Sequence, residues 1–449
     1  MGATFLLSVV VSILSFGAKA DTTVVNTQAI NAAIASCAER GGGVVVVPPG
    51  EFITGTVRMR SHVMLRLERG AVLRGSHRLA DYEPLRYDGD LSKYESGRGT
   101  VNYNAADDPV WSLSLISFVG VSRSGIEGEG TIDGAHVFNP QGEEGQRGPH
   151  TILIADGDRL RFTGFSVKRS ANYAIMGYRV SRSVFRHLRF FEGWDGIHLR
   201  GSRDTRIADC EFHTGDDAIA GGYWQKMRIS RCKVNSSCNG IRMIMPSEDV
   251  LVEDSHFYGP GLYPHRTSGN RSSLAAINIE PGAWGDAPGR LDNIRIRRCE
   301  TDAVLTPLSV TVGKDNELGS IEVSRLTARN TTRMAASVKS WGTSRTAKVT
   351  FKDCDFHFLG IDDPHLPEWF RNRPTSEWPV FPSWALYFRN VDSLRVRRVR
   401  CSYAGREYRT ALRCDGVGVS ELRNGVESIG GMRLVEQPGS GLAPFVEFK

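Results

Sequence analysis

No two cysteines are spaced as Cys-x-x-Cys in this chain of 449 residues, and a zinc ribbon or thioredoxin-like motif loses its sequence basis with them. A large excess of charge of one sign is also lacking. The 56 basic and 50 acidic side chains leave a formal +6, which permits an anionic substrate without demanding one. Nucleic-acid binding would need a concentrated basic patch. The two basic runs, at residues 295–298 and 395–400, alternate in part with Val or Ile and fit the solvent face of strands. No nucleic-acid partner is expected. Beyond the first twenty residues no apolar run is long enough to cross a bilayer. Low-complexity stretches are missing, and 48 glycines against 19 prolines point to many tight turns.

What is present begins with an apolar run at residues 3–16, followed by Ala18-Lys19-Ala20. A small-x-small pattern after such a run reads as a secretory signal peptide cleaved after Ala20. Residues 1–20 would be the leader and 21–449 a single catalytic domain, secreted or periplasmic, off the membrane once cleaved, and monomeric. The run lacks a preceding Lys or Arg, so a buried N-terminal helix is the alternative.

Five of the eight cysteines share a context: "RIADCEFH" at Cys210, "RISRCKVN" at Cys232, "RIRRCETD" at Cys299, "TFKDCDFH" at Cys354 and "RVRRVRCSY" at Cys401. "LVEDSHFYG" joins the series with Ser255. The spacing is close to 22 residues, or a multiple of it, before loops intervene. A period this short indicates a solenoid, because one unit cannot bury an apolar face alone. Three short strands and turns per coil give an all-β parallel β-helix, with the small residues stacked inside as a ladder of free thiols rather than disulfides. A Cys232–Cys238 bond remains a weaker option. In residues 26–42 the apolar positions Ile30, Ala33, Ile34 and Cys37 have helical spacing. The glycines at 41–43 stop that helix, which would cap the open end of the core. A Pro- and Trp-rich insertion at residues 360–384 precedes the last coils.

With the repeat in view, several stretches carry a family resemblance. "AINAAIASCAERGGGVVVVPPGEFITGTVRMRSHVMLRLERGAVLRGS", "IEGEGTIDG" and "SANYAI" resemble the opening coils of glycoside hydrolase family 28, the polygalacturonases and their relatives. The resemblance runs from about residue 23 to 257. It implies a right-handed parallel β-helix, an inverting hydrolase of a pectic polysaccharide or oligosaccharide, and no cofactor or metal. The family motif Asn-Thr-Asp stands here as Gly193-Trp194-Asp195, and Gly-Asp-Asp as Gly215-Asp216-Asp217. Gly-His-Gly is replaced by Cys238-Asn239-Gly240, and Arg-Ile-Lys by Asn278-Ile279-Glu280. The resemblance thus implies Asp216 as general acid, with Asp195 and Asp217 holding the attacking water. The lost cations weaken galacturonan as substrate, with Arg242 the obvious replacement beside Glu280.

Inversion needs an acid and a base flanking the bond, about 6.5–9.5 Å apart. A 21-residue step places Asp195 one coil from the pair, and mutual repulsion would raise at least one pKa. Asp216 and Asp217 can share a cleft only if the strand bends or ends there. Trp194 and Trp224 are either sugar-stacking walls or packing between coils. Substrate contacts are further expected from Asn239, Arg242, Asn278 and Glu280. Strand alternation sets His198 on the face opposite Asp195. The loop at residues 258–273 either closes the groove or shields an edge. Other readings are hydrolysis of a neutral α-linked glycan, a β-helix lyase or epimerase, and a non-catalytic carbohydrate-binding solenoid. Three Asn-x-Ser/Thr sites, at Asn235, Asn270 and Asn330, are open to glycosylation.

Overall fold

The computed structural model of the chain describes residues 9–95, 104–313, 316–332, 335–360, 383–407, 409–417 and 445–448. The start of the expected leader, and residues 361–382 of the insertion, lie outside the described residues. Two units are distinguished, Met1–Glu211 and Phe212–Lys449, and the same construction recurs in each. Short strands pair in parallel with those of the next coil, so that residues of like position stack.

In the first unit Val57, Ile116, Ile152, Ile175 and Ile197 share one register and are buried. In the second, Ile219, Ile241, Ile277 and Leu308 do the same. Alternate residues on a strand point inward, and coils stack at the inter-strand spacing of about 4.8 Å. Each buried Ile or Leu of such a column contributes roughly 1.5–3 kcal/mol. Both units are therefore parallel β-helices.

The cysteine ladder has a backbone cause. A single non-glycine residue in the left-handed region precedes each ladder position: Asp209, Arg231, Asp254, Arg298, Arg325, Asp353 and Arg398. That residue turns the chain, and its successor points into the core. Cys232, Ser255, Cys299, Leu326 and Cys354 stand in line. Ser255 Oγ donates to the carbonyl two residues back, Glu253 O, at 2.9 Å, and the Cys299 and Cys354 thiols turn to their own such carbonyls at 3.5 and 3.3 Å. All eight cysteines are free, so the optional Cys232–Cys238 bond is not formed. One assignment is corrected. Val399 follows the turn residue and sits level with Cys354, while Cys401 lies level with Phe356. Two residues further along, the side chain still points inward but belongs to the next inner column.

The basic runs lie largely on strands, and part of their charge is paired locally. Arg297 and Arg298 bind Glu253, Arg298 also binds Asp254, and Arg398 pairs with Asp353.

At the N-terminus a helix spans Thr27–Glu39 and buries Ile30, Ala33, Ile34 and Cys37. Beyond its end the chain turns through Gly42, whose φ is +103°, and a Cβ there would meet the His62 carbonyl at 2.4 Å. The segment before it is no α-helix. Val9–Ser12 pairs in parallel with Gly43–Val47, a short 3-10 turn spans Ile13–Phe16, and Ile13 is buried.

Candidate active site

In the second unit, strand Glu211–Thr214 ends just before the two aspartates, and strand Ile219–Ser230 starts just after them. Asp216 and Asp217 thus lie in a bend, where alternation does not apply. The bend is held by hydroxyls: Thr214 Oγ1 and Ser236 Oγ both donate to the Asp216 carbonyl at 2.8 Å. Asp217 Oδ1 accepts from the backbone N–H of Asn239 at 2.9 Å and from its side-chain amide at 2.8 Å. Arg242 Nη1 stands 3.8 Å from Asp217 Oδ2. Burial is the largest influence on Asp217 and raises its pKa. The Arg242 charge opposes this, the Asp216 charge raises it further, and the Asn239 bonds lower it, for a net rise. Burial therefore outweighs the repulsion that the sequence suggests.

The Cys238 thiol, with Asp216 and Asp217, offers ligand atoms within 4.8 Å of one another. Burial, followed by the Asp217 and Asp216 charges, pushes this thiol well above its ordinary pKa.

The remaining expected contacts of this unit divide. Asn278 Nδ2 donates to Asn239 Oδ1 at 3.4 Å, which makes Asn239 and Asn278 supports of Asp217. Glu280 follows Ile279, which is in register with Val310 and Val338, so Glu280 is in line with Thr311 and Lys339. The Lys339 amine is 3.4 Å from Ser309 Oγ. Burial lowers its pKa to about 7, with the Glu280 charge opposing. The acidic substitution in the fourth motif therefore has a cation of its own. Sequence reading missed Lys339, because only the register brings residue 339 alongside 280.

Two aromatic assignments are corrected. Trp194 and Trp224 each expose 1% of their surface and present no face to a sugar. Trp194 lies under the Arg147 guanidinium, 3.7 Å from the ring centroid. An exposed ring near the carboxylates is instead Trp284, 36% exposed, with Arg242 at 5.2 Å over it. The 258–273 loop carries another missed residue, His265, whose Nε2 is 3.8 Å from Asp216 Oδ2. Asn235 anchors that loop: its amide donates to the Tyr258 and Pro260 carbonyls, and its oxygen accepts from Leu262 N–H. This buried side chain is closed to glycosylation in the folded protein.

In the first unit Asp195 precedes strand Ile197–Ala208, in a turn entered through Gly193 at φ +82°. Because Asp195 is not yet on the strand, alternation fails here too, and the expected separation from His198 is overturned. His198 Nδ1 and Asp195 Oδ2 are 2.7 Å apart. Arg200 Nε donates to His198 Nε2 at 3.0 Å, and Tyr173 stacks on the imidazole at 4.7 Å and 4°.

A family model described as a right handed beta helix region matches residues 126–257. The exo-poly-alpha-D-galacturonosidase of Dickeya chrysanthemi is 26% identical over 250 residues, which cover 47% of this chain and 41% of that protein. A probable polygalacturonase of Vitis vinifera is 25% identical over 222 residues, 46% of this chain and 43% of its own. The matches thus span less than half the length of either relative. The family 28 exopolygalacturonase of Yersinia enterocolitica superposes with a TM-score of 0.61 at 15% identity, covering 95% of this chain and 79% of that one. The chain is a right-handed β-helix similar to the family 28 glycoside hydrolases. Asn239 joins Asp217, Cys238 and Asn278 in one hydrogen-bonded group.

Proposed function

We propose that the protein is a secreted glycoside hydrolase that cleaves a pectic, polygalacturonate-type polysaccharide with inversion. The observation that carries this is the bend at 216–217, where two neighbouring carboxyls are buried together and one holds its proton above the ordinary carboxyl range. The relatives' activities suggest the substrate class. In this reading Asp216 gives a proton to the leaving glycosidic oxygen. Asp217 holds a water, takes its proton and directs it to the anomeric carbon from the opposite side, and Asp195 is assigned as a carboxylate base. The proton held by the Asp216–Asp217 pair belongs to both carboxyls, since strongly interacting groups titrate together. Arg242 supplies cationic charge for a uronate, and Trp284 offers a ring face to a sugar.

The test is product analysis on polygalacturonate, a neutral α-glucan and an alginate. Hydrolysis releases saturated reducing ends of inverted configuration. Unsaturated, ultraviolet-absorbing ends would indicate a lyase instead. Asp216→Asn should lower turnover by at least about 10²-fold with an unchanged circular dichroism spectrum, and full activity would refute the acid assignment.

A further inference from the structure

The mechanism above uses Asp195 but leaves the side chains behind it without a role. Asp195, His198 and Arg200 are all nearly fully buried. Arg200 Nη1 donates to the Tyr94 carbonyl at 2.8 Å and to Asn104 Oδ1 at 2.7 Å, so the guanidinium is fixed before it meets the imidazole. An arginine N–H can only donate. The 3.0 Å contact from Arg200 Nε therefore requires a lone pair on His198 Nε2. In a neutral imidazole the proton is then on Nδ1, and Nδ1–H donates to Asp195 Oδ2 across 2.7 Å. Tyr173, stacked on the ring, holds its plane.

We infer that Arg200 and His198 are positioning residues for Asp195, forming a relay in which the arginine locks the imidazole neutral, as the Nδ1–H tautomer, so that Asp195 stays an ionised acceptor in one orientation. An imidazolium at this place would face the Arg200 cation and lose the Nε2 acceptor. It would also form an ion pair with Asp195 and weaken it as a base. The relay excludes that state while keeping a strong donor on the carboxylate. Roles of this kind, in which one side chain orients another, are common behind reactive groups.

The other titratable groups around the imidazole leave this state undisturbed. Burial, with charge from Glu143 and Asp195 opposed by Arg147 and Arg200, keeps the Tyr173 hydroxyl well above its usual pKa. Burial, then the Arg200 and Arg147 charges, drives His150 down to about 3. Neither changes charge over the working range of a carboxylate base.

The inference rests on the hydrolase reading only for its kinetic part, so two kinds of readout are used. Nitrogen-15 imidazole shifts of the full-length protein report the tautomer whatever the protein hydrolyses. His198 should carry its proton on Nδ1 and stay neutral at pH values below the ordinary imidazole value near 6.5. An Nε2–H tautomer, or ordinary titration, would overturn the relay. Arg200→Met should let His198 protonate at higher pH, and the acidic limb of kcat on polygalacturonate should move with it. His198→Leu should lower kcat about 10- to 100-fold, less than the full contribution of a proton-transfer group, with KM little changed. His198→Asn, whose amide nitrogen can replace Nδ1–H, should recover most of the loss. Equal impairment of the Leu and Asn variants at equal Tm would overturn the positioning role. A wild-type protein inactive on every pectic substrate would instead defeat the hydrolase reading, with the nitrogen shifts still deciding the relay.

Discussion

Replacing Asp217 with Asn tests how a reactive carboxyl conflicts with stability. Its folded pKa lies above the ordinary value, chiefly through burial, and an unfolded Asp titrates near 3.9. Between those two values the folded protein holds a proton that the unfolded chain has lost, so this group's contribution falls as pH rises. Above the folded pKa the whole deficit is present. Asp217→Asn removes the charge yet keeps an oxygen for the Asn239 donors. It should raise Tm at pH 7–8 by a few degrees, corresponding to about 1 kcal/mol, with no gain below pH 4 and little residual activity. Equal Tm values at neutral pH would show that the charge costs nothing where it sits.

At the scale of the element, the repeated turn explains why the ladder accepts chemically different residues. Its inward position holds Cys, Ser or Leu in consecutive coils, since the left-handed residue before it fixes the direction of the chain and the core needs only modest volume. Burial pushes the Cys299 thiol up to about 12 and Cys354 to about 11, so both are inert at neutral pH. Cys299→Ser should cost no more than about 1 kcal/mol, because a serine there can donate to Arg297 O as Ser255 does to Glu253 O. Ile277→Ala, in the all-aliphatic column, should cost about 2–5 kcal/mol. Urea midpoints of the two variants measure the contrast, and similar losses would contradict it. The ladder was legible because a one-residue turn and a small neighbour leave a local pattern. The mistake at Cys401 came from a local string that shifts by two residues within the same inward parity, which only pairing with Phe356 reveals.

Across the whole molecule, pH dependence follows from its ion pairs. Asp133 is surrounded by Arg74, Lys168 and Arg169. Burial alone would raise its pKa, but the Arg169 bonds, the Ala135 N–H and the Arg169 and Lys168 charges outweigh it, and it lies below the ordinary value. Asp158, Glu253, Asp254, Asp292 and Asp353 are lowered as well, in most cases by arginine partners. For each, the stabilisation is complete above the unfolded pKa of roughly 4 and is lost as pH falls through the lower folded value. Urea stability should therefore fall gradually below about pH 6.5, where the unfolded His150 takes a proton that the folded one refuses, and drop steeply below 4. The exposed pairs should contribute less in 0.5 M salt, as their charges are screened. Unchanged stability between pH 5 and 3 would contradict this account.

The sequence by itself determined the coil, the N-terminal helix with its four buried positions, and the pairing of Asp216 with Asp217. Each of these is written in residues close together in the chain, in a period of 22, a period of 3.6 or direct adjacency. Tertiary structure decided the rest. Trp194 is covered by Arg147, Lys339 is drawn beside Glu280 by strand register, and Asp195 meets His198 because the strand begins only after it. Burial, register and turn geometry depend on neighbours from other coils, and no single stretch of chain encodes them.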